Sequence, residues 1–106
     1  MADTTCLDWP FYEARHRALA EDAARWAAGV GHAVDESDVD AACRDLVRRL
    51  GEGGWLRYCV PASHGGALDV LESRALCLLR ETFGRESGLL DFCFAMQGLG
   101  SGAISL

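Results

Sequence analysis

From Leu89 to Leu99 the chain is apolar at nearly every position: Leu89, Leu90, Phe92, Cys93, Phe94, Ala95, Met96 and Leu99. A helix that is apolar on every side is buried on every side. The whole chain, at 106 residues, fits one domain. A domain of this size buries roughly 65 % of the surface its unfolded chain exposes. Three companion helices can hardly enclose such a fourth one completely. Phe92, Phe94, Met96 and Ile104 are therefore expected to include exposed apolar surface, or to be covered by a partner chain. The chain reaches Leu106 still in apolar character, which we read as a module too short to perform catalysis alone.

Three amphipathic segments precede that run. Leu19, Ala23, Trp26 and Val30 form an i, i+4, i+7, i+11 stripe, predicting a helix from about Pro10 to Ala28 that ends at Gly29 and Gly31. After a loop, Ser37 is expected to cap a second helix with Val39, Cys43, Leu46 and Leu50 on one face, stopped by Gly51, Gly53 and Gly54. Asp69 and Glu72 have the spacing of a capping box for a third helix, running to about Phe83 and ended by Gly84. Ser87 would cap the fourth. Between the second and third helices, Trp55 to Ala67 holds Pro61 and Gly65-Gly66, which argue against both helix and central strand. Its Trp55, Leu56, Tyr58 and Val60 predict a connection packed against the domain. The fold class is all-α, a cluster of about four helices.

A net charge of −6 with no basic cluster excludes nucleic acid as a partner. No apolar run approaches the ~20 residues of a membrane span, and the N-terminus lacks the pattern of a signal peptide, so a cytoplasmic protein is expected. The five cysteines include no C-x-x-C pair, which argues against zinc. Cys43, Cys77 and Cys93 fall in apolar helical stretches, where a reduced thiol packs as a small hydrophobe.

The polar constellations carry little chemistry. Cys59, Ser63 and His64 are close in sequence but lack an orienting group and an oxyanion site. His16 and His32 read as isolated, solvated side chains. Asp35, Glu36, Asp38 and Asp40 resemble a calcium loop only in charge, because the required glycine and terminal glutamate are missing; they are helix-start acidity. The glycines from Gly98 to Gly102 follow a helix and not a strand, so a dinucleotide turn is not expected.

Two stretches taken together are more informative. Leu50 to Gly66, with Gly54-Trp55, Val60-Pro61 and Gly65-Gly66, resembles the segment of acyl-CoA dehydrogenases in which a helix runs into a pinned loop. Leu71 to Ser87 is similar to the helix that follows in that family, and Gln97 to Ile104 to its next, glycine-interrupted helix. The match spans almost the whole chain in the family's order. One departure is His64, where the loop commonly has tyrosine.

The resemblance implies an FAD enzyme, a homo-oligomer, with an N-terminal helical domain, a β-domain and a C-terminal helical bundle. Such enzymes desaturate an acyl-CoA between Cα and Cβ, in fatty acid metabolism, with a glutamate of the C-terminal bundle as base. Only the first domain is matched, so no catalytic, flavin-binding or metal-binding residue is carried over, and this chain by itself is expected to be inactive. The late helix of that domain contributes to the acyl-chain cavity in the family. The resemblance therefore makes Asp91, Ala95 and Leu99, stacked at i, i+4 and i+8, candidate substrate contacts, flanked by Phe92 and Met96. Plain core packing is the other reading of these residues. An acyl-CoA oxidase, a flavin-dependent hydroxylase, or a stand-alone helical interaction module are alternatives for the whole.

Overall fold

The computed structural model describes residues 3–31 and 34–105. His32 and Leu106, both singled out above, lie outside the described residues. Among the described residues four helices carry the fold: α1 (Ala14–Gly31), α2 (Val39–Glu52), α3 (Ser73–Glu86) and α4 (Gly88–Ser105). No strand is present among the described residues, so the all-α reading stands. Short 3-10 turns fill Thr5–Asp8, Trp55–Cys59 and Ala62–His64.

Helix α1 starts later than Pro10. The Tyr12 amide bonds the Trp9 carbonyl at 3.0 Å, so Pro10 occupies the second position of a tight turn, where its fixed φ suits the bend. Glu13 then opens the helix as its carbonyl accepts from Arg17. The buried row runs through His16, Ala20, Ala23, Ala27 and Val30, one position round from the expected stripe. Its small residues let α1 approach α3 closely. Helix α1 also passes through Gly29 to Gly31, where a Cβ would fall 2.9 Å from Glu86 Cβ. The C-terminal end of α1 thus meets that of α3, and the two helices run side by side in the same direction.

Asp38, not Ser37, caps α2: its Oδ1 accepts from the Ala41 amide at 3.1 Å. Ser37 is drawn instead into a turn by Asp35 Oδ1. Val39, at the first helical position, stays exposed. Helix α2 continues through Gly51, and Gly54 at φ 82° turns the chain away.

Helix α3 begins at Ser73, and the expected capping box at Asp69 does not form. Contacts at both ends of the segment compete with it. The Leu68 carbonyl accepts from Ala62, which holds 68 beside Pro61, and the Glu72 carboxylate is taken by Arg15 and His16. Gly84 lies within α3 and does not end it. Ser87 does cap α4, with its Oγ accepting from the Leu90 amide at 3.2 Å.

The core joins α1, α2, α3 and α4 through Ala27, Leu46, Leu50, Leu79, Phe83, Leu90 and Phe94, with Trp55 and Cys59 of the connection buried among them. Phe83 sits edge-on to Phe94, Trp55 and Trp26, with ring centres 5.1–5.8 Å apart. Such pairs add about 0.5–1.5 kcal/mol each beyond the area they bury. The apolar connection therefore packs on the domain as expected, although it adopts 3-10 turns and not an irregular loop.

All five cysteines are unpaired. Cys93 is buried and Cys43 half-buried, but Cys77 is exposed on α3 and corrects its core assignment. His16 is the other correction. It is 1 % exposed, neither isolated nor solvated. Among the described residues no helix is long and apolar enough to cross a membrane.

Candidate functional site

Helices α3 and α4 form an antiparallel hairpin about Ser87, with Arg80 of α3 set against Asp91 of α4 and a gap beyond them. The gap is a groove of about 290 Å³. Its walls are Leu76 and Arg80 of α3, and Phe94, Ala95, Gly98 and Leu99 of α4. Leu71 closes one end, and Cys59 supplies the floor beside Gly98. Small residues at 95 and 98 leave the space open, and a Cβ on Gly98 would already reach Cys59 Sγ at 3.8 Å.

The floor is held rigidly by the connection. The Ser101 hydroxyl donates to the Gln97 carbonyl at 2.7 Å and reaches the Cys59 carbonyl at 3.3 Å. Farther back, Ala67 and Gly66 amides bond the Arg57 and Pro61 carbonyls. Gly66 is required there, because a Cβ would sit 1.7 Å from the Val60 carbonyl oxygen. This is the physical content of the Val-Pro…Gly-Gly pattern: the loop folds back on itself at backbone contact distance.

Of the five candidate residues, Ala95 and Leu99 line the groove. Asp91 stands one turn earlier and takes Arg80 in a two-pronged ion pair, Nε and Nη2 each 3.0 Å from a carboxylate oxygen. Phe92 and Met96 are not groove residues. They are 56 % and 44 % exposed on the neighbouring face of α4, with Ile104 at 81 % farther along. Phe94 alone of the four residues expected to include exposed surface is buried, so α4 is apolar all round but covered on one side only.

Arg80 was not anticipated. Its signal was available in retrospect: Leu76 and Ala95 stand one helical turn farther from Ser87 than Arg80 and Asp91 on their respective helices, so the two pairs share one register across the hairpin. Cys59 and Leu71 come from outside the hairpin, and no local pattern marks them.

The remaining polar groups do not assemble a reaction centre among the described residues. Burial pushes the Cys59 thiol up to about 11, and burial together with the adjacent Cys43 thiol does the same to Cys93. Both are held as thiols, the unreactive form. His64 sits on the exposed turn with only Ser63 Oγ at 3.1 Å. Among the described residues no group of three or more acidic, histidine or cysteine side chains is placed to hold a metal. Gly98, Gly100 and Gly102 lie inside α4.

A profile of the family described as acyl-CoA dehydrogenase, N-terminal domain, matches residues 13–106. A search of curated proteins finds no match.

Proposed function

This chain belongs to the acyl-CoA dehydrogenase N-terminal domain family, and from that premise we propose that it is the helical domain of a larger FAD-dependent oxidoreductase that desaturates an acyl-CoA. The observation that supports this reading is the apolar groove between α3 and α4, continuous with the exposed apolar side of α4. We assign the groove as part of the wall of the acyl-chain cavity. Ala95 leaves room for the chain, Leu99 covers it at the lip, and Asp91 orients Arg80 at the opposite end. Phe92 and Met96 are assigned to the surface that the remaining domains, or a second subunit, cover.

The described residues do not fit FAD by themselves. The groove lies at the lower end of the ~300–1,000 Å³ usual for ligand pockets, and a dinucleotide also needs convergent donors for its pyrophosphate. The groove offers one cation, already paired with Asp91. In the proposal the flavin is bound by other domains, and this chain contributes apolar surface, exclusion of water and chain-length discrimination.

The test is spectroscopic. The native protein should carry visible flavin absorbance that bleaches when a suitable acyl-CoA is added without oxygen. Ala95→Phe should move the preference to shorter chains, by about 0.8 kcal/mol for each methylene excluded. A native protein without flavin, or flavin indifferent to every acyl-CoA, would favour a stand-alone interaction module.

A further inference from the structure

We infer that Arg80 reads the far end of the bound chain, selecting acyl groups that carry a neutral oxygen, a hydroxyl or a carbonyl, over both plain and carboxylate-terminated chains. The inference rests on the assignment of the groove to an acyl chain. Seven of the eight groove residues are apolar or thiol-bearing, so an alkyl segment suits most of it. The exception is a guanidinium, which is a strong and directional donor. Asp91 engages it side-on, through Nε and Nη2. Arg80 Nη1 makes no hydrogen bond to any described residue, so its two N–H donors remain for a ligand.

Charge decides which ligand oxygen this favours. The Arg80 charge is already balanced by Asp91 at 3.0 Å. A terminal carboxylate on the same guanidinium would bring a second anion within a few ångströms of the first, and like charges that close repel strongly. A hydroxyl or carbonyl oxygen accepts the free N–H groups without that penalty. The Arg80 side chain is 55 % exposed in this chain, so a plain alkyl end laid against it would strip water from those donors and return nothing. Asp91 is thus a positioning residue: it fixes the plane of the guanidinium and cancels its charge.

The experiment is calorimetric binding of CoA thioesters to the native protein. Three series are compared over a range of chain lengths: unsubstituted, terminally hydroxylated and terminally carboxylated. At the length that brings the terminus to Arg80, the hydroxylated thioester should bind about tenfold tighter than the plain one, the scale of one charge-assisted hydrogen bond. The carboxylated thioester should bind less tightly than the hydroxylated one. Arg80→Met keeps the apolar stem and should bring the hydroxyl-to-plain ratio to about one. Asp91→Asn, nearly isosteric, leaves the guanidinium uncompensated and should reverse the order of hydroxyl and carboxylate. It also tests the inference if Arg80→Met fails to fold. The absence of a hydroxyl preference at every length, or an unchanged order in Asp91→Asn, overturns the inference while leaving the acyl-CoA reading intact. Failure of all three series to bind overturns both.

Discussion

His16 is the residue that most changes in meaning between sequence and structure. It sits at the third position of α1, and its Nδ1 accepts from the amide of Glu13, the residue that opens the helix, at 2.9 Å. That is the return half of a capping box, played by histidine in place of glutamate. Because Nδ1 is an acceptor, the ring proton is on Nε2, which donates to Glu72. Glu72 also receives Arg15 at 2.6 and 3.0 Å, so one carboxylate ties the starts of α1 and α3 together. The Arg15 hydrogen bond, aided by His16 and opposed by burial, holds Glu72 down at about 2 from its ordinary 4.5. A depressed carboxylate stabilises the fold when ionised. Its contribution is therefore complete above the unfolded value of 4.5 and is lost as pH falls from there through about 2. Glu72→Gln should cost about 1–3 kcal/mol near neutrality. In urea titrations, the gap between wild type and variant should close between pH 4.5 and 2. A gap independent of pH would mean that the charge on Glu72 contributes nothing.

At the scale of elements, two sets of glycines behave oppositely. Gly66→Ala drives a methyl into the Val60 backbone and should destabilise the chain by about 3 kcal/mol or more, read as a lowered urea midpoint. Gly100 and Gly102 lie in α4 with nothing within 4 Å of an added Cβ. Each alanine there should stabilise by about 0.5–1 kcal/mol, the difference in helix propensity. A loss on either substitution would show that α4 does not continue as a regular helix to Ser105. The first three helices were legible from periodicity, because burial on one face imposes the 3.6-residue repeat on the sequence itself, and the fourth from its unbroken apolar run behind Ser87. Their ends were less so. Ser87 caps through bonds within its own segment and was readable. The start of α3 depends on Ala62 and Arg15, which lie 11 and 58 residues from Ser73, and no local signal encodes those partners. For the groove, Ala95 and Leu99 came from the family resemblance, whereas Arg80 depended on the hairpin's register.

The whole molecule is a plate of 41 × 37 × 18 Å. Packed helices lie about 8–10 Å apart, so 18 Å is roughly two helical layers. In a plate this thin no helix can be wrapped on all sides, and α4, apolar all round, necessarily presents Phe92, Met96, Leu99 and Ile104 outward. We propose that this surface and the adjoining groove form one binding face, covered by substrate and by other domains. Hydrogen–deuterium exchange on the native protein tests this most directly, because a bound ligand suppresses the local openings of the elements it touches. Added acyl-CoA, compared with CoA alone, should slow exchange across residues 71–80 of the α3 arm and 91–101 of α4, leaving α2 unchanged. Protection confined to other elements, or none that depends on the acyl chain, would contradict the assignment of this groove.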